Sequence, residues 1–213
     1  MTEIPYAARR PAPTWVLWLG LATAALAAVA VVTIDEPIAR AIHPYKALPI
    51  WDGGITVLEW TIGFPLWGWL STAVVMVGMV LAVAVPRWRG AAPAWTYVAA
   101  THLLTKIAMG LAKDGFGRWR PHQWFAKHAV DGTFWRGASS FPSGHVVLFA
   151  SLAIPLAVLF PRARWLAIPI LFVMLARIAV EAHFVSDTLG GVALVAISAW
   201  LLGLAIRPLP PRP

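Results

Sequence analysis

No cysteine occurs among the 213 residues, so disulfides and thiolate metal sites are excluded and cysteine usage says nothing of redox compartment. Charge is scarce as well. Only 12% of residues are Asp, Glu, Lys or Arg while 60% are hydrophobic, and the mean hydropathy is +0.72, outside the range of an ordinary soluble domain. Internal repeats, low-complexity tracts and flexible linkers are missing, so 1–213 reads as one domain. Acids are the rarer sign, 9 against 17 Lys and Arg. The resulting +8 does not read as a nucleic-acid footprint, because the bases come in scattered pairs at the ends of apolar segments. That placement is a membrane topology signal.

What is abundant agrees with a bilayer. Of 13 Trp, several stand near the ends of apolar runs, as Trp15, Trp88, Trp95 and Trp165 do, where an amphipathic ring suits the interface. Six stretches, 15–33, 62–85, 92–112, 143–160, 165–180 and 184–206, approach the roughly 20 helical residues that cross a hydrocarbon core. The expected fold is an all-α integral membrane protein with six transmembrane helices. Pro86, Pro93 and Pro161 fall near the junctions, where a missing N–H does least harm; Pro155 and Pro169 read as kinks.

Alternate connections carry Arg9 and Arg10, Arg87 and Arg89, Arg162 and Arg164, then Arg207 and Arg212, with Glu3 as their one acid. The opposite set holds Asp35, Glu36, Asp52, Glu59, Asp114, Asp131, Glu181 and Asp187 among other bases. An excess of Lys and Arg marks the cytoplasmic side, which predicts both termini there. Ala28-Val29-Ala30 resembles a signal cleavage site, but the apolar run before it is long for a signal peptide, so a retained helix is expected. Two outer connections, 34–61 and 113–142, exceed simple turns. The first has room for a short interfacial helix within 35–50, and the second is where function is expected.

Three polar clusters break the apolar pattern, all at the outer ends of spans. The stretch KDGFGRWRP at 113–121 sets Lys113 and Arg120 just beyond the third span, with glycines that let the chain turn. Basic residues at a membrane surface also simply contact headgroups. Pro142-Ser143-Gly144-His145 leads into the fourth span, where Ser is a favoured N-cap, free N–H groups attract an anion and Gly144 permits close approach. A capped helix with an incidental His fits the tetrapeptide too. Arg177 ends the fifth span, and His183 precedes Asp187 by four residues, a spacing that lets a carboxylate reach one imidazole nitrogen, fix its tautomer and leave the other nitrogen as a nucleophile.

In this order, Lys-x6-Arg-Pro, Pro-Ser-Gly-His and Arg-x5-His-x3-Asp resemble the signature of the type 2 phosphatidic acid phosphatase (PAP2) superfamily, in its membrane-bound lipid phosphatase branch. The motif-bearing part runs over about 106–190. One departure is Ala176 before Arg177, where the family usually has Ser. The resemblance implies a PAP2-like helical core and a metal-independent hydrolase with no cofactor. It assigns His183 as nucleophile, Asp187 as its orienting partner and His145 as general acid. Lys113, Arg120, Arg177, Ser143 and Gly144 would hold the phosphoryl oxygens.

The partners implied are membrane lipids and a lipid phosphate or diphosphate of the undecaprenyl diphosphate, phosphatidic acid, phosphatidylglycerol phosphate or lipid A class. The expected place is a bacterial inner membrane, with the site facing the periplasm or exterior. Rival readings are a lipid phosphotransferase using the same phosphohistidine, a vanadate-binding haloperoxidase, which the membrane composition disfavours, and a non-enzymatic transporter or scaffold. A metal alternative would draw on His122, His128, His145, His183, Asp131 and Asp187, though the basic cluster repels a dication. Lys106 shares a helix face with Lys113, and an ionisable group at that depth suggests either function or snorkelling; Glu181 is its expected partner. Trp119, Trp124, Phe125, Phe134, Trp135 and Phe141 make the long loop aromatic, for interfacial anchoring or for guiding a lipid chain.

Overall fold

The computed structural model describes residues 13–45, 49–61, 69–127 and 137–206. All regular structure among them is helical. In chain order the α-helices are α1 (Thr14–Thr33), α2 (Asp35–Ile42), α3 (Pro49–Thr61), α4 (Trp69–Ala84), α5 (Ala92–Phe116), α6 (Pro121–Lys127), α7 (Gly144–Leu159), α8 (Ala167–Ala179) and α9 (Val185–Ala205). Prolines punctuate them. Pro86 opens a 3-10 turn between α4 and α5, and Pro161 opens another between α7 and α8, since proline favours a helix start and cannot continue one. Pro155 stays inside α7 with its side chain buried. Pro169 falls in the first turn of α8, where its missing N–H costs nothing.

The helices pack because their apolar faces meet. α1 lies along α9, while α5, α7 and α9 form the centre, with α4 against α5 and α3 against α8. Val16 of α1, Val146 and Ala150 of α7, Val173 of α8, and Val195, Ala196 and Ala199 of α9 are buried in one cluster. A polar strap crosses it. The Tyr97 hydroxyl of α5 donates to the Ala199 carbonyl of α9 at 3.0 Å, which satisfies a phenol that burial would otherwise penalise. Outward-facing side chains are apolar as well, including Trp18, Val32, Leu111, Trp165 and Ile168, as a lipid solvent requires and water would not.

Among the described residues two helices, α1 and α9, are long and apolar enough to cross a membrane, or up to three if the bent pair α4 and α5 counts as one span. α5 has 25 residues, but Thr101, His102, Thr105 and Lys106 dilute its apolar run. α7 is apolar with 16 residues, and α8 has 13. Residues 62–68, the start of the expected second span, lie outside the described residues, as do both termini. The connection over 34–61 is more helical than expected: beyond the anticipated short helix, realised as α2, it contains α3. α3 buries Ile55 and sets Gly54 and Trp51 against Phe172 of α8.

The feature that builds the site is a close crossing. At Gly190 any Cβ would collide with the Phe141 ring, and at Gly191 it would lie 3.2 Å from Val146 and 3.3 Å from the Ser143 carbonyl. Two bare backbones in succession therefore let the 141–146 turn seat against the first turns of α9. The Ser143 N–H donates to the Asp187 carbonyl at 3.0 Å, closing the crossing.

Candidate active site

The first motif ends α5 and turns back on itself. Gly117 caps the helix with φ of 56° and its N–H bonds the Lys113 carbonyl at 3.1 Å, a left-handed position suited to glycine. The next residues pair with the segment before α7. Ala138 N–H donates to the Gly117 carbonyl at 3.1 Å and Ser140 N–H to the Arg118 carbonyl at 2.9 Å. The Lys113 ammonium donates to the Ser139 carbonyl at 2.5 Å and its stem lies beside Gly144, where a Cβ would stand 3.9 Å from Lys113 Cε. Arg120 is anchored by its own N–H, which donates to Gln123 Oε1 at 3.1 Å as α6 begins.

The third motif closes the other side. Arg177 ends α8, and its carbonyl accepts the N–H groups of both Ala182 and His183 at 3.1 Å, so the turn carrying His183 folds back over the arginine. Asp187 lies in the first turn of α9 and accepts the Phe184 N–H at 2.9 Å. The spacing of four does bring carboxylate and imidazole together, with His183 Nδ1 3.5 Å from Asp187 Oδ2. Ser140 Oγ stands 3.3 Å from the same nitrogen and donates its own proton to Asp187 Oδ2 at 2.5 Å. With both neighbours able to accept from it, Nδ1 carries the imidazole proton, and Nε2 bears the lone pair. Burial lowers the His183 imidazole to about 4, against the opposing pull of Asp187, while Arg177 and Lys113 reinforce the lowering. Near neutral pH the ring is therefore uncharged, the form that can attack an electrophile.

Asp187 is itself held from behind. Arg118, fully buried, donates from Nη1 to Asp187 Oδ1 and from Nη2 to Asp35 Oδ2, each at 2.6 Å. Ser186 is inserted between them: it accepts from Arg118 Nη1, its hydroxyl donates to Asp35 Oδ2 at 2.5 Å, and its N–H donates to Asp35 Oδ1 at 3.0 Å. The guanidinium also covers the Phe184 ring at 4.5 Å. A buried guanidinium is tolerated only when its charge is paired, and the two carboxylates on this one tie α2, the first motif and α9 into a single unit.

His145 occupies the first turn of α7, and its Nε2 lies 2.5 Å from Glu59 Oε1 of α3. Burial raises the Glu59 carboxyl, and the charge of Arg177 opposes that. Ser143 precedes α7 as expected, but its side chain does not cap the helix. Its Oγ is buried and has no partner among the described residues, and the same holds for Nε of Arg177. Two buried donors without acceptors, at a helix start ringed by Lys113, Arg120 and Arg177, suit an oxyanion.

Sequence reasoning placed Lys106 and Glu181 as partners, and they are not. Lys106 donates to Thr72 Oγ1 at 3.1 Å and stands 4.3 Å over the Trp69 ring. It belongs to a polar seam between α4, α5 and α7, where His102 reaches Thr72 at 3.0 Å and Ser151 at 2.8 Å. Glu181 meets His43 Nδ1 at 2.6 Å in a turn where its own φ is 52°. His122, weighed as a metal ligand, has Nδ1 2.9 Å from the Glu181 carbonyl; His128, Asp131, Phe134 and Trp135 lie outside the described residues. Trp124 is fully buried against Phe184 and Ala39, so it is core and not an interfacial anchor.

Five residues escaped the sequence reading: Arg118, Ser140, Ser186, Asp35 and Glu59. Arg118 was visible as a third base within the first motif, and Asp35 and Glu59 as acids of the outer connection. Nothing local marked Ser140 or Ser186. No curated protein and no solved structure matches the chain. The sequence model of the PAP2 superfamily, whose members are generally phosphatases, matches residues 94–208, which takes in all three motifs. With more than half its length so matched, the chain belongs to the PAP2 superfamily.

Proposed function

We propose that this protein hydrolyses a lipid phosphate or lipid diphosphate at an outer membrane face, through a phosphohistidine on His183 and without a metal. The observation that carries the reading is the buried His183, held at Nδ1 by Asp187 and Ser140, with Arg177 and Lys113 in electrostatic reach and the buried donors of Ser143 and Arg177 still without acceptors among the described residues. Nε2 attacks phosphorus as the bond to the leaving lipid oxygen breaks, and His145 gives that oxygen a proton. Negative charge spreads over the equatorial oxygens, where Lys113, Arg120, Arg177, the Ser143 hydroxyl and the Gly144 N–H receive it. In the second step water attacks phosphorus, the N–P bond breaks, and His145 takes the proton of the water.

A lipid substrate is supported by what surrounds the site. Trp60, next to Glu59, and Phe116, at the end of α5, are exposed apolar rings at its rim. A six-span topology with both termini cytoplasmic is supported by the helix ends. The pairs Arg87 with Arg89 and Arg162 with Arg164 lie at the ends of α5 and α7–α8 opposite those carrying the site. A bacterial inner membrane is the setting that fits, with carrier-lipid diphosphates such as undecaprenyl diphosphate, and phosphatidic acid, phosphatidylglycerol phosphate and lipid A, as candidates.

The test is phosphate release from a panel of detergent-solubilised lipid phosphates and diphosphates, beside His183→Ala. Orthophosphate released from lipids in preference to soluble esters, and lost in the variant, is the expected result. Equal turnover of soluble esters would overturn the lipid assignment, and full activity of the variant would overturn the phosphohistidine.

A further inference from the structure

Glu59 lies outside the family-matched residues and on a helix that carries none of the three motifs, yet its carboxylate touches an imidazole at the heart of the site. We infer that Glu59 is a positioning residue for proton transfer: it holds His145 by Nε2 and keeps that imidazole protonated for the leaving oxygen. The inference rests on the proposed hydrolysis and adds a member to its machinery.

Charged and titratable groups face His145 from several elements. Lys113 of α5, Arg120 of the following loop, Arg177 of α8 and His183 of the turn before α9 all lie within electrostatic reach of it. Burial opposes a positive charge on the ring, and the fixed cations Arg177, Arg120 and Lys113 oppose it further. A general acid in that company needs a counter-charge beside it to hold its proton. Glu59, from α3, is the carboxylate in contact with it, at 2.5 Å, and both side chains are largely shielded, 12% and 20% exposed. A carboxylate at this range favours the imidazolium and fixes the ring plane.

The place of α3 makes the contact reproducible. Trp51 and Gly54 seat against Phe172 of α8, about one and a half turns from Arg177 on the same helix, so Glu59 is delivered by a packed helix and not by a loose side chain. The proton balance closes with Glu59 ionised throughout. In the first step the His145 proton passes to the lipid oxygen as the P–O bond breaks and the His183 N–P bond forms. In the second, neutral His145 takes a proton from the attacking water as the N–P bond breaks, which restores the Glu59-paired imidazolium.

The experiment compares kcat against pH for wild type, Glu59→Gln and Glu59→Asp, each checked for monodispersity and thermal unfolding in detergent. Because His145 must be protonated at the start, its loss of a proton sets the alkaline limb. Glu59→Gln is expected to move that limb to lower pH by about one unit or more, with a loss of about 10- to 100-fold at pH 8 and little change in KM. Glu59→Asp moves it in the same direction by less. The same Gln variant is expected to lose far less on a phosphate ester with a nitrophenolate leaving group, which departs without a proton. An unshifted limb in a folded Glu59→Gln or Glu59→Asp protein, or equal losses on both leaving groups, overturns the inference. Inactive wild type, or active His183→Ala, would instead overturn the underlying hydrolysis.

Discussion

His183 is 2% exposed and backed by a carboxylate that shares a buried guanidinium with a second carboxylate, whereas His145 is 12% exposed and faces a carboxylate arriving from another helix. The first imidazole has its proton locked on one nitrogen. The second, in the proposed reaction, gives up a proton and takes one back. The contrast fits the chemistry proposed for each ring: a nucleophile gains from a fixed tautomer and an uncharged state, and an acid that later becomes a base gains from a partner that leaves both states accessible. It also divides the chain. Asp187 and Ser140 come from the family-matched region, 94–208, while Glu59 and the supporting Asp35 come from the residues before it.

The sharpest way to break the comparison is to remove the first ring. His183→Ala is expected to abolish turnover, a loss of about 10⁴-fold or more in kcat, with no phosphate trapped on the protein in a rapid acid quench. Asp187→Asn comes next, with a loss of about 10³-fold in kcat at nearly constant KM, because the amide no longer enforces the Nδ1–H tautomer. The wild-type acid limb belongs to the same experiment. Since the His183 imidazole is lowered from the usual 6.5 to about 4, its uncharged form survives as pH falls and is lost only through about pH 4. An acid limb in kcat assigned to His183 near pH 6.5 would contradict the buried site.

Asp35→Asn tests the frame behind the first ring. It leaves the Arg118 guanidinium half paired in a fully buried setting, for which a destabilisation of about 3–5 kcal/mol is expected, read as a lower unfolding temperature in detergent. Residual activity of the folded fraction should exceed that of Asp187→Asn. The smallest effect is expected at Lys106→Met, within about 3-fold of wild-type kcat, because its ammonium addresses Thr72 and Trp69. A loss beyond 10-fold there would return Lys106 to the active site.

Much of this was legible in one dimension. Apolar runs and proline punctuation located the central helices to within a few residues, because helix length and N–H accounting are local matters. Lys113, Arg120, Ser143, Gly144, His145, Arg177, His183 and Asp187 were singled out because the three motifs occur together, in the order of the PAP2 signature. The residues that were missed act across the fold. Lys106 looked like a neighbour of the site because a spacing of seven keeps a helix face, yet a rise of about 10 Å along the helix separates it from Lys113 and hands it to α4. Glu181 looked like its counter-ion because it sits inside the third motif, but the turn it occupies points it at His43.

Composition, periodicity and motif spacing therefore determined that the chain is helical, suited to a bilayer, and equipped with a histidine and carboxylate pair four residues apart. Those properties depend only on neighbours along the backbone. Which carboxylate serves which imidazole was decided by the tertiary structure alone. The glycine crossing at Gly190 and Gly191, the α3–α8 contact and the buried Arg118 bring together Asp35, Glu59, Ser140 and Asp187 from distant positions. No local rule links residues so far apart, because what joins them is the desolvation cost of a buried charge, which only the assembled fold can relieve.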